Sequence, residues 1–188
     1  WGFILSTKYD LSKKIISKSR SILNVCEINA TSTASEADKF HSYIYNSEED
    51  GLKLINTGTI DPYCNYWGKR ALTDKSEQYL RPMLPNSSKV LGTNRYNLYN
   101  SSKIIVAKMS LRLEGFYDEK GEYSSINTNC LHHITISPLK LMGWIHSKAF
   151  QYVYECLFEG LRMAGNYLPF SALYLSCMYI PLNIDSLD

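Results

Sequence analysis

The sequence predicts an α/β fold of the α+β kind, a mixed and largely antiparallel β-sheet with packed helices. Three observations carry that prediction. Of the 188 residues, 45% are apolar and 20% charged, the balance of a globular chain long enough for a real core. Short runs rich in β-branched and aromatic residues recur between turn residues, as at Leu52 to Asn56 and Lys103 to Tyr117. Other stretches place apolar residues at helical spacing, as at Lys8 to Leu23 and Lys148 to Phe158. No internal repeat, low-complexity tract or linker divides the chain, so one domain over residues 1–188 is expected. Its helix-rich part would run from 137 to 181. The start at Trp1 fits a piece of a longer protein.

Trp1 to Leu5 is a short apolar run and reads as a buried strand. Lys8 to Leu23 follows as a helix, with Leu11, Ile15, Ile16, Ile22 and Leu23 on one face and its cations on the other. Val25 to Ile28 is the next strand. Ser35 to Tyr45 is a helix candidate through Ala37, Phe40 and Ile44, and Asn46 to Gly51 is an acidic turn. Leu52 to Asn56 is a strand that Asp61-Pro62 breaks, because proline supplies no backbone donor. Lys75 to Leu84 suggests a short helix, and the polar stretch Asn86 to Ser102 a long loop. Lys103 to Tyr117, turning at Asp118 to Gly121 and returning over Glu122 to Ile126, reads as a hairpin. Cys130 to Ile136 is a further strand. Ser137-Pro138 has the composition of a helix start, serine at the cap and proline in the first turn. Helices are expected over Leu139 to His146 and Lys148 to Phe158, then a loop over Gly160 to Tyr167. A short helix over Ser171 to Ser176 and a strand over Met178 to Pro181 close the chain.

The net charge of +2 is not by itself a nucleic-acid signature. Five scattered cysteines, with no close pair, predict no zinc ribbon and fit reduced, buried thiols in a cytoplasmic protein. No apolar run is long enough to span a bilayer. Catalytic chemistry is hard to assemble, since no glycine-rich phosphate loop is present. His132-His133 is the most tempting pair, but neighbours on a strand point to opposite faces and so do not easily share a metal. Ile60-Asp61-Pro62-Tyr63 is similar to the Asp/Asn-Pro-Pro-Tyr motif of amino-methyltransferases. It lacks one proline and no cofactor-binding turn precedes it, so it reads as a turn. The fragment is therefore expected not to be an enzyme.

Binding is better supported. Tyr63, Tyr66, Trp67, Lys69 and Arg70 mix aromatic and basic groups within a few residues. Arg95, Tyr96, Lys103, Lys108 and Arg112 form a second such region. Cations of this kind fix phosphates, and arginine reads guanine edges. The same residues equally suit packing and solubility.

Several segments together resemble one family. Leu54 to Tyr63 followed by Trp67-Gly68-Lys69 resembles the opening of the TaqI-like C-terminal specificity domain of adenine-N6 DNA methyltransferases and restriction–modification enzymes. Lys103 to Val106 with Gly115-Phe116-Tyr117-Asp118 and Gly121 is similar to that family's hairpin. Trp144 to Lys148 resembles its helix junction, Gly160 to Phe170 its following glycine-bearing segment, and Leu173 to Pro181 its ending. Trp1 to Glu49 fits its opening part. His146 stands where the family has Asn, and Asn56 where it often has Arg.

The resemblance implies a target-recognition domain, in which this chain reads double-stranded DNA and does no chemistry. The N-terminal methyltransferase domain of the same protein would bind S-adenosylmethionine and methylate a flipped adenine. No cofactor and no metal is expected in this domain. The DNA-facing residues would be Tyr63, Tyr66, Trp67, Lys69, Arg70, Arg95, Lys103 and Arg112, with Arg162 and Asn166 either on DNA or capping the preceding helix. Gly58, Gly115 and Gly121 read as turn formers. A protein-assembly module docking through Ala149 to Phe158 is the alternative, and a small hydrolase using His132 or His133 a further one.

Overall fold

The computed structural model describes residues 6–186, so the strand expected over Trp1 to Leu5 lies outside the described residues. The fold is mixed α and β with open, largely antiparallel sheets, as the sequence predicts. The chain runs α1 (Tyr9–Ile16), β1 (Ser19–Ser21), β2 (Glu27–Ala30), α2 (Ala34–His41), β3 (Tyr45–Asn46) and β4 (Leu52–Asn56). Then come β5 (Ile60–Asp61), β6 (Cys64–Asn65), β7 (Leu72–Asp74), β8 (Glu77–Tyr79), β9 (Pro82–Leu84), α3 (Ser88–Leu91) and α4 (Thr93–Tyr99). The second half holds β10 (Lys103–Ala107), β11 (Met109–Ser110), β12 (Gly115–Asp118), β13 (Tyr123–Ile126) and β14 (Thr128–His132). It ends with α5 (Pro138–Ile145), α6 (Lys148–Phe158), β15 (Leu168–Pro169), α7 (Ala172–Ser176) and β16 (Tyr179–Pro181).

Two four-stranded sheets organise the molecule. One has the order β12-β10-β14-β2 and is antiparallel throughout. The other has the order β13-β4-β9-β3, with β13 and β4 parallel and the rest antiparallel. Asn127, at φ 55°, passes the chain from β13 in one sheet to β14 in the other. The central strand β10 is buried along its whole length, which is why it reads as a continuous β-branched run. The largest core lies where α5, α6 and α7 pack on the antiparallel sheet, around Ile104, Leu131, Leu141, Phe150, Tyr154 and Phe170.

The buried polar groups that join these layers are paired. Tyr99 Oη lies 2.7 Å from Thr31 O and 3.0 Å from Ser125 O. Trp144 Nε1 donates to Tyr179 O at 2.7 Å, and Asn129 Nδ2 to Phe170 O at 2.6 Å. Asp118 accepts from the amides of Glu122 and Tyr123, closing the turn after β12. Gly121 in that turn has φ 69°, and a Cβ there would meet the Asn100 backbone at 2.4 Å. Only glycine fits.

Six expectations are corrected. The first helix ends at Ile16, because residues 19–21 are taken by antiparallel pairing with β16. Ile22 is then buried while Leu11 and Leu23 are exposed, so the apparent single apolar face serves two elements. The helix expected over Lys75 to Leu84 is instead β8 and β9. Lys75 and Ser76 both have positive φ, at 45° and 76°, the backbone of a two-residue hairpin turn joining β7 to β8. The loop expected over Asn86 to Ser102 contains α3 and α4, held by tertiary contacts that local composition does not report. β12 and β13 do not pair as a hairpin: β12 joins β10, and β13 runs parallel to β4. Gly115 is not a turn former but a buried strand residue, where a Cβ would meet Ile105 O at 2.8 Å. The cysteines are free, as expected, but Cys64 and Cys177 are exposed rather than buried.

Candidate functional site

Pro62 and Tyr63 form the turn between β5 and β6. Proline fixes the first turn position, and Tyr63 then sits at φ 67°, the pattern of a type II turn in which glycine is the favoured second residue. Its amide donates to Gly115 O at 2.8 Å, which pins the turn onto β12. The Tyr63 side chain is 60% exposed, a bulky aromatic displayed from a backbone conformation that disfavours it. Its ring centroid lies 4.4 Å from that of His146, with 33° between the planes.

His146 ends α5. Its Nδ1 donates to Met142 O at 2.8 Å, which leaves Nε2 as the acceptor nitrogen, buried and without a hydrogen-bond partner among the described residues. Burial, with Arg112 adding to it, holds the ring below the ordinary histidine pKa against the opposing pull of the Met142 and Gly115 carbonyls. Ser147 then caps α6 by accepting from the Phe150 amide at 3.1 Å, and Lys148 stands exposed at its first turn.

Tyr63, Arg112, His146, Lys148, Gln151 and Glu155 line one cleft of about 500 Å³. The acid at its back is already committed: Glu155 binds Lys8 at 2.5 Å, Gln151 at 2.9 Å and Arg162 at 3.0 Å. Burial works to raise its pKa, but those contacts prevail and lower it. Among the described residues, Arg112, Lys148 and Lys69 form no ion pair. The cleft therefore offers two uncommitted cations and a displayed aromatic ring.

Arg70 extends this face. Its guanidinium lies 4.2 Å from the Tyr66 ring centroid, donates to Gly58 O at 2.9 Å and approaches Asp61 at 3.6 Å. The pKa of Glu114 is raised by burial and by Asp61, and is opposed by Arg112 and Arg70. Those four charges thus share one electrostatic neighbourhood beside the cleft.

The other sequence-selected residues are placed elsewhere. Lys103 is fully buried, its ammonium 2.5 Å from Asp118 and 2.6 Å from Tyr99 O. It is an interior ion-pair partner, not a surface cation. Trp67 is half-buried, donates Nε1 to Pro82 O at 2.8 Å and packs against the small core around Ile55 and Phe116. Arg95 holds both oxygens of Glu36 at 3.0 Å and donates to Ala30 O, on a different cavity. Arg162 binds Glu155 and the Asn166 carbonyl, so it closes its own loop, with Asn166 exposed at φ 65°. Sequence reasoning missed His146 and Lys148 as site residues. Their signal was the Ser147 cap, which places both at a helix junction but says nothing of what faces it.

The expectation that His132 and His133 diverge is also corrected. His133 has φ 49°, which ends the strand alternation and brings the two rings to 4.6 Å between centroids. Together with Glu27 across the sheet they form the group of possible metal donors found among the described residues.

No family model and no curated protein matches this chain.

Proposed function

We propose that this chain recognises duplex DNA for a separate catalytic domain, an adenine-N6 methyltransferase or a fused restriction–modification enzyme, and carries out no reaction itself. S-adenosylmethionine would then belong to that other domain. The observation that supports this most is Tyr63. A tyrosine held at positive φ, displayed to solvent and set at a tilt against the His146 ring, supports a binding use for this turn. Arg112 and Lys148 beside it, with Arg70 near Asp61 and Glu114, are the residue types that hold a phosphate backbone while a ring stacks on or wedges against bases. A separate anchor for a protein partner on α6 has less support, because Phe150, Val153 and Tyr154 of that helix are covered by the chain's own core.

The test is salt-dependent binding of the chain to a random duplex pool, with sequencing of the retained fraction. Enrichment of one short adenine-containing site is expected. Tyr63→Gly separates binding from folding: glycine relieves the backbone, so stability should hold or rise, by about 0.5–1 kcal/mol, while DNA retention falls. Equal retention by Tyr63→Gly and wild type would remove this face from the recognition surface.

A further inference from the structure

We propose that Glu27, His132 and His133 form a binding site for a divalent metal ion of the zinc class, with one coordination position left open to the adjoining cavity. The donors come from two neighbouring strands. Glu27 in β2 stands opposite His132 in β14 in the sheet register, and His133 is turned back beside them by its left-handed backbone. His133 Nδ1 lies 3.0 Å from Glu27 Oε1, His132 Nε2 lies 4.0 Å from Glu27 Oε2, and all three donor atoms fall within 4.8 Å of one another. Bonds of ~2.0–2.1 Å in a tetrahedral site put donors roughly 3.3–3.4 Å apart, so side-chain adjustment of up to about 1.4 Å between donors closes the set.

The surroundings suit a nitrogen-preferring metal. Two imidazoles and one carboxylate select zinc and its first-row neighbours over magnesium or calcium, which take oxygen ligands. His132 is the buried ligand, at 9% side-chain exposure, and fixes the site to the sheet. His133 and Glu27, at 69% and 63%, leave it open to solvent. Asn29 Oδ1, 2.6 Å from His132 Nε2, accepts a hydrogen bond from that ring's N–H in the free protein. On metal binding each ring carries its proton on the other nitrogen, so the neutral imidazoles release no proton. The fourth position faces a cavity of about 520 Å³ lined in part by Arg95, Asn94 and Asn97, which suits a water or a small anionic ligand.

The proposal is tested on the whole chain, untagged and freed of metal with a chelator, titrated with Co²⁺ near neutral pH and followed by visible d–d absorption, then displaced with Zn²⁺. One equivalent should bind with a tetrahedral or five-coordinate spectrum. Both His133→Asn and Glu27→Gln alter exposed side chains and leave the core intact, which circular dichroism checks. Each should weaken Co²⁺ binding by more than tenfold, since the loss of even an outer-sphere partner costs about 10–100-fold. His41→Asn, at the separate His41–Asp74 pair, should bind as wild type does. No saturable binding, or binding that His133→Asn leaves unchanged, overturns the proposal.

Discussion

Two ion pairs show how differently a charge behaves with its depth. Lys103 and Asp118 are enclosed almost completely, and the lysine's desolvation lowers its pKa against the pull of the carboxylate. Asp118→Asn leaves that ammonium buried without its counter-charge and should cost about 3–5 kcal/mol in urea unfolding. Glu36 is only partly covered. Burial raises its pKa, but Arg95 and the Thr33 amide outweigh burial and bring it down to about 2. Its contribution is therefore complete above the ordinary carboxylate range and is lost as pH falls through about 2. Glu36→Gln also removes the capping-box acid of α2 and should cost about 1–2 kcal/mol near neutral pH. Melting curves of wild type and variant should converge as pH approaches 2, and a constant gap down to that pH would contradict this account.

Elements here are set as much by their turns as by their propensities. The β7–β8 turn uses Lys75 and Ser76, both at positive φ, where Asn-Gly is the favoured pair. Ser76→Gly should raise the urea midpoint, by about 0.5–1 kcal/mol after the entropy of the unfolded glycine is counted. The turn after β12 gives the opposite outcome. Gly121→Ala forces a Cβ against the Asn100 backbone at a positive φ, and should destabilise by at least about 1–3 kcal/mol. α4 shows a third route. Its Asn-rich sequence has weak helical signal, and it is held by Arg95 on Glu36 and by buried Tyr99.

At the scale of the molecule, the cleft is an assembly of segments far apart in the chain. Tyr63 comes from the β5–β6 turn, Arg112 from the segment before β12, and His146 and Lys148 from the α5–α6 junction. The antiparallel sheet and the helices packed on it hold these three together, so the face depends on the whole fold. If Arg112 and Lys148 each neutralise a phosphate, the double alanine variant should bind all DNA sequences more weakly. The slope of log affinity against log salt should flatten by about 2, close to one per phosphate contact. An unchanged slope would place the phosphate contacts elsewhere. Among the described residues no helix is long and apolar enough to cross a membrane.

The sequence by itself determined what depends on near neighbours. Strand β4 falls on the predicted residues, Ser137-Pro138 starts α5, and the apolar stripe of Lys148 to Phe158 gives α6 with its buried face. Caps, proline and periodicity act within a few residues, so they are legible without a partner. Of the proposed site, the Tyr63 to Arg70 cluster and Arg112 were legible as residue types. The tertiary structure alone decided that Lys103 is an interior charge and that Trp67 and Arg95 are tied into structural contacts. It also decided that His146 faces Tyr63, and that a left-handed residue turns His133 back beside His132. Burial, pairing and the contacts of a side chain depend on residues brought from elsewhere in the chain. Periodicity carries no record of them.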